Sequence, residues 1–533
     1  MNLKPMRKAS IARPTRKEFL KLGLAGSVAL ALPFGSSGCS SGDQTGTLLR
    51  SSAPLPEPFS VPLPVPPVLE PMHTDANADY YELTQKEVRA EILPGLDTTV
   101  WGYEGNFPGP TIEAQSGRQV VVHQRNELPV PTVVHLHGGV TPPESDGYPT
   151  DLILPTDGSF DGHEGHGGIL MGGVDRGTKE YVYPMDQPAA TLWYHDHRID
   201  FTGPQVYKGL AGFHIVRDEV EDDLPLPKGE KDVPLMICDR AFDEDGSFLY
   251  PSVDPSLRDE PGVDDDFMEG VLADTILVNG APWPFMEVSN TMYRLRVLNT
   301  SNARRYELEL DPPPSDGDSF IQVGSDVGLL GAPVSHERIP IAPAERFDVV
   351  VDFSEYTVGT EVTLKNRIGE GSTAQLMRFR VVRAERDNSS VPDRLAEVEP
   401  IDPDSATTTR RFRFHREDVN GRHGWVINEE AFHPELVSAR PRLGSTEIWE
   451  VRGNTHHPIH LHLAHFQVLS RSGWIGRRSP RPQDAGWKDT VDLLPDEEVR
   501  LAVRFDGYRG KYVFHCHNLE HEDMMMMANF EVA

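Results

Sequence analysis

Cysteine, positive charge and long apolar runs are all scarce in this chain. Its 533 residues hold only Cys39, Cys238 and Cys516, too few for a disulfide framework even in an oxidising compartment. Cys238 lies in an apolar run, Pro234-Leu235-Met236-Ile237-Cys238, and reads as a small buried hydrophobe. Lys and Arg number 51 against 82 Asp and Glu, for a net charge of −31. That acidity argues against nucleic acid as a partner and favours solubility. The longest apolar run near the start, Leu22 to Phe34, is shorter than the roughly 18 residues that span a bilayer.

The first residues form a separate unit. Thr15-Arg16-Lys17-Glu18-Phe19-Leu20-Lys21 ahead of that run resembles a twin-arginine export signal with Lys in place of the second Arg. Such export carries folded, metal-loaded proteins and implies a periplasmic, cell-surface or extracellular location. Ser36-Ser37-Gly38-Cys39 resembles a lipoprotein cleavage site, although Ser36 stands where Leu is usual; a lipid anchor on Cys39 and a plain linker both fit. Residues 1–38 carry seven Lys or Arg and one Glu, so the remainder has a net charge near −37.

Residues 1–47 are thus read as export signal and flexible linker, and 48–78, rich in Pro, as an extended arm rather than a packed element. Three blocks of one plan follow. Gly105-Asn106-Phe107-Pro108-Gly109-Pro110, Arg118 to Asn126 and Thr132 to His137 form the first. Val278-Asn279-Gly280-Ala281-Pro282, Tyr293 to Asn299 and Arg305 to Leu310 form the second, and Val426-Ile427-Asn428, Thr446 to Val451 and His457 to His462 the third. Each gives short alternating strands between Pro, Gly and Asn turns, so the predicted fold is all-β, in three consecutive domains over 79–217, 232–384 and 408–533. Charged, Pro-containing linkers are expected at Asp218–Lys231 and Glu385–Thr407. Where blocks one and three carry His-x-His, block two has Tyr306-Glu307-Leu308, and the middle domain is read as a spacer without this kind of metal site.

Four His-x-His pairs carry the chemistry: His135/His137, His195/His197, His460/His462 and His515/His517. In a strand, residues two apart share a face, so each pair offers two imidazoles, good copper ligands, without a long loop. The fourth pair straddles Cys516, which faces the opposite way. A thiolate, the imidazole of His521 and a thioether from the run Met524 to Met527 make the soft set with a weak axial Met of a blue copper site.

With these motifs the chain closely resembles the multicopper oxidases, within them the bacterial spore-coat laccase and bilirubin-oxidase-like group. The resemblance rests on His135-Leu136-His137-Gly138-Gly139, Trp193-Tyr194-His195-Asp196-His197, His457-Pro458-Ile459-His460-Leu461-His462 and His515-Cys516-His517 with His521 and Met526. It implies three cupredoxin-like Greek-key β-barrel or sandwich domains and four copper ions. The type 1 copper would be held by His457, Cys516 and His521 with Met526 axial, and the type 2 copper by His135 and His460. The type 3 pair would take His137, His195, His197, His462, His515 and His517. Electrons from a small aromatic reductant would arrive through the ring edge of His521, expected in an open, irregular segment, and dioxygen would become water. Glu522 and Asp146 would relay protons; each is also readable as an ordinary carboxylate.

The implied activity is laccase-like oxidation of phenols or other electron-rich aromatics. Oxidation of Cu(I) or Mn(II), or of bilirubin or aminophenols, would use the same centres, and a copper carrier or copper-free relative would have no oxidase activity. A monomer is the family expectation. The Gly-rich stretch Asp161 to Met171, with His163 and His166, is read as an exposed insertion, and His456 as a neighbour of His457 that binds no metal.

Overall fold

The computed structural model describes residues 44–160, 173–419, 422–473 and 476–533. The expected export signal, Cys39 and the 161–171 insertion lie outside the described residues. Among those described, no helix is long and apolar enough to cross a membrane.

The fold is all-β, and one strand plan recurs three times. In the first unit, Ala78–Ala90 pairs in parallel with Gln119–Asn126, which pairs antiparallel with Thr178–Tyr183. Facing it, Gly109–Gln115 runs parallel to Ala211–Arg217, followed by antiparallel Ala190–Asp196 and Val134–His137. In the second unit the corresponding sheet runs Phe285–Ser289, Gln375–Arg383, Glu361–Asn366, Tyr306–Asp311. In the third it runs Val437–Ala439, Met527–Val532, Gly510–Cys516, His457–Leu461. Alternation drives each pair of sheets together: Tyr512, Phe514 and Cys516 point into a core with Trp449, Phe412 and Phe530, while His515 points the other way. The His-x-His strands of units one and three therefore occupy equivalent places. Tyr306 stands there in unit two, buried, its hydroxyl bonded to Ser301.

Two connecting segments are more firmly held than their composition suggests. The Pro-rich arm is extended but packed, contrary to expectation. Thr47–Leu49 pairs in parallel with Val271–Ala273, Phe59 N donates to Trp283 O, and Leu69 N donates to Thr111 O. An extended backbone without internal hydrogen bonds leaves its polar groups available to neighbouring strands. The Asp218–Lys231 connection contains a short helix, Glu219–Asp223, capped by Asp218. Its Glu221 is buried and paired with Arg217, Arg294 and Arg296 at 2.8–3.0 Å, so part of its charge belongs to an interior network.

Candidate metal centres

The four pairs of histidines converge. Strands Val134–His137 and Ala190–Asp196 place His135 opposite His195, and strands His457–Leu461 and Gly510–Cys516 place His460 opposite His515. The two sheets meet so that all eight imidazoles are buried together, with rings of His135 and His462 stacked at 3.7 Å and those of His137 and His460 at 3.6 Å. Three groupings have ligand atoms within 4.8 Å of one another: His197, His462 and His515; His135, His460 and His462; His135, His137 and His195.

Hydrogen bonding decides which nitrogen faces inward. The Nδ1 atoms of His135, His195, His460 and His515 lie 2.6–3.2 Å from the backbone carbonyls of Asp146, Asp196, Asp489 and Cys516. A carbonyl only accepts, so each Nδ1 carries the proton and each Nε2 a lone pair. His462 Nδ1 lies 2.7 Å from Asp146 Oδ2, which leaves its Nε2 turned towards the cluster. The Nε2 atoms face one another: Nε2 to Nε2 is 3.3 Å for His135 and His460, 3.3 Å for His462 and His515, and 3.2 Å for His197 and His515. Burial, reinforced by neighbouring imidazoles, holds His135, His462 and His517 well below the usual histidine pKa, so they are neutral at pH 7. Converging lone pairs in a dry interior repel unless a cation sits among them, and borderline-soft metals accept such donors.

His137 is turned the other way. Its Nε2 donates to Asp489 Oδ1 at 3.1 Å, leaving Nδ1 without a protein partner. Nε2 of His195 and both ring nitrogens of His517 are likewise unpartnered and buried. Asp489 is itself gripped by Arg346 of the middle unit, through Nη1 to Oδ1 at 2.8 Å and Nη2 to Oδ2 at 2.5 Å. Burial opposes its ionisation, but Arg346 and His137 hold the carboxyl well below its usual range. Neither Arg346 nor Asp489 was anticipated, because a Lys-Asp-Thr triplet before a strand has no local mark that distinguishes an interior carboxylate from a solvated one.

Behind this cluster, Cys516 Sγ lies 3.4 Å from His457 Nδ1 and 3.6 Å from His521 Nδ1, and the two nitrogens are 3.3 Å apart. All three residues are fully buried, and Met526 packs in the same core. Burial pushes the Cys516 thiol well above its usual pKa, so a thiolate there requires a bound cation. One expectation fails here. His521 is not in an open segment but in the helix Leu519–Asp523, with no exposed surface. Asn518 accepts from His521 N and caps the helix, and the middle unit covers the imidazole.

The two carboxylates also lie at the cluster. Asp146 is 1 % exposed and bonded to His462; burial pushes its pKa well up. Glu522 Oε2 is 3.0 Å from His515 Nδ1 and Oε1 is 3.7 Å from His197 Nε2. Although burial disfavours its charge, these imidazoles hold Glu522 well below the ordinary carboxylate range. His456 accepts or donates at Nδ1 with Thr45 Oγ1, 2.8 Å away, and is absent from the metal-ligand groupings.

Comparison with known proteins gives the family. The family described as multicopper oxidase matches residues 84–221 and again residues 398–533. A laccase of Bacillus subtilis is 39% identical over 528 residues, covering 89% of this chain and 98% of its own length. The chain is a multicopper oxidase. A Haloferax volcanii laccase is 35% identical, with 97% of this multicopper oxidase and 91% of the relative covered. The crystal structure of a laccase from Pediococcus acidilactici superposes with a TM-score of 0.77 at 32% identity, covering 91% and 96% of the two chains. The multicopper oxidase therefore has a cupredoxin-like all-β fold, a copper-based chemistry and a laccase-like oxidase activity.

Proposed function

We propose that this oxidase takes electrons one at a time from phenols or other electron-rich aromatics and uses them to reduce dioxygen to water, acting as an exported monomer with four copper ions. The reading divides the chain into domains 79–217, 232–384 and 408–533, preceded by the signal and arm. His457, Cys516 and His521, with Met526 beside them, would hold the type 1 copper; His135 and His460 the type 2 copper; His137, His195, His197, His462, His515 and His517 the type 3 pair. Bound copper supplies one-electron redox chemistry at the thiolate and dioxygen reduction among the imidazoles. Four electrons and four protons convert one dioxygen to two waters, which fixes the stoichiometry.

The chain's own atoms do the rest. Cys516 and its bonded neighbours His515 and His517 join the two centres through a few covalent bonds, because alternation along one strand sends the sulfur and His515 to opposite faces. Burial of every donor excludes water from the ligand sites. Glu522, in contact with His515 and His197, would pass protons at the edge of the cluster as a carboxylate, and Asp146 orients the His462 ring through Nδ1.

The observation that carries this reading is the convergence of Cys516, His457 and His521 directly behind the eight-histidine cluster. Copper counting with optical and paramagnetic spectra, followed by a panel of phenols, aminophenols, bilirubin and metal ions under oxygen monitoring, tests it. Cys516→Ser is expected to abolish the intense thiolate-to-copper absorption and aromatic oxidation together. Undiminished turnover in that variant would overturn the assignment.

A further inference from the structure

Burial of His521 raises the question of where electrons enter. The segment Met268-Glu269-Gly270 of the middle unit lies against this histidine and is pinned on three sides. Asn518 Nδ2 donates to Glu269 O at 3.1 Å, Val271 N to Glu520 Oε2 at 2.9 Å, and Thr47 N to Gly270 O at 2.8 Å. Gly270 has φ +132°, and a Cβ there would stand 2.6 Å from Ala303 Cβ and 3.0 Å from Asn518 Nδ2. The close approach needs glycine. A segment held this way is a fixed wall, so a reductant in solution does not touch the imidazole.

One aromatic ring bridges wall and ligand. Trp425, in the strand Arg422–Ile427, stacks on His521 with ring centroids 3.7 Å apart and planes 30° from parallel. Its Nε1 donates to Met268 O at 3.0 Å, which locks the indole to the cover. Trp425 pairs across its hairpin with Arg416, whose guanidinium lies 3.6 Å from the Glu269 carboxylate at the exposed outer side.

We propose that Trp425 is the electronic coupler of this enzyme: aromatic donors dock outside the Met268–Glu269 wall, and their electrons reach His521 through the stacked indole. The inference rests on the type 1 role proposed above for His521. With no exposed imidazole edge, donors must react without binding to His521, so their electrons have to cross the cover. In each step one phenolic O–H bond would break, its proton passing to water and one electron passing by way of Trp425 and His521, leaving a phenoxyl radical; copper held by His457, Cys516 and His521 would supply the one-electron acceptor. Trp425 is a positioning and coupling residue, and ends the step unchanged.

The test uses the copper-loaded enzyme mixed rapidly with hydroquinone without oxygen, following bleaching of the blue absorption. Trp425→Leu, which removes the π system but fills space, is expected to slow bleaching about tenfold or more at an unchanged blue band, while Trp425→Phe stays within about threefold of the parent. Reoxidation of all three by dioxygen should be alike, because the histidine cluster is untouched. Bleaching of Trp425→Leu at the parental rate or faster would overturn the proposal. Should the Leu variant lose its blue band, Trp425→Met is read by the same criteria. A parent enzyme with no blue band would instead refute the type 1 assignment itself, so the two failures are distinct.

Discussion

Arg346→Met offers the sharpest check on how the middle unit supports the cluster. Arg346 and Asp489 are both completely buried, and their two-point contact at 2.8 and 2.5 Å joins the middle unit to the carboxylate that orients His137. Met fills most of the volume but leaves the Asp489 charge without its main partner. Removing one member of a buried pair costs about 3–5 kcal/mol. Arg346 also donates to the carbonyls of Thr191, Ala344 and Asp326, and each lost bond adds about 1 kcal/mol before relaxation. A loss of roughly 5 kcal/mol corresponds to about 10 °C or more in unfolding temperature at about 2–4 °C per kcal/mol for large domains.

The companion variant isolates the cause. Arg346→Met combined with Asp489→Asn removes both charges, while the amide oxygen still accepts from His137 Nε2 and Thr490 Oγ1. It should regain more than half of the lost stability, since the penalty lies in the orphaned carboxylate rather than in the missing guanidinium. Thermal unfolding of copper-free protein by circular dichroism, with copper content measured in parallel, reads both. A single variant within about 2 °C of the parent, or a double variant no more stable than the single, would refute the reasoning.

Three other outcomes are expected. Glu522→Gln should slow reoxidation by dioxygen and leave the blue absorption in place, read by rapid mixing of the reduced enzyme with oxygen across pH; unchanged rates would remove Glu522 from proton delivery. Met526→Leu should raise the reduction potential of the thiolate-bound copper, because a weak donor to Cu(II) is lost, and a redox titration of the blue band that shows a fall would contradict it. Acid stability should depend on Glu221. Burial raises its pKa, but Arg296, Arg294 and Arg217 outweigh this and bring it from 4.5 down to about 2. A depressed carboxylate stabilises fully above its unfolded value and loses that contribution as pH falls from 4.5 towards 2, about 3 kcal/mol in all. Glu221→Gln should flatten the acid limb of stability in that window, and an unaltered pH profile would exclude the network as its source.

The candidate metal donors were readable because they are local. Strand periodicity alone puts His135 with His137, and Cys516 opposite His515, on assigned faces, and the repeat comparison separates Tyr306 from its histidine counterparts. What escaped was non-local. Asp489 reaches His137 across 352 positions and Arg346 across 143, and no periodicity links such residues. His521 misled for a similar reason. Its sequence neighbours are polar and suggest exposure, whereas its cover, Met268 to Gly270, comes from another unit. The middle unit has no imidazole at Tyr306, yet it supplies the guanidinium behind the eight-histidine cluster and the wall over His521. It is therefore more than the spacer its missing histidines suggest. That copy of the repeat, with Tyr306 where the others carry a histidine pair, braces the two candidate sites formed by the others, and substitutions at its edges should alter copper chemistry without touching a candidate ligand.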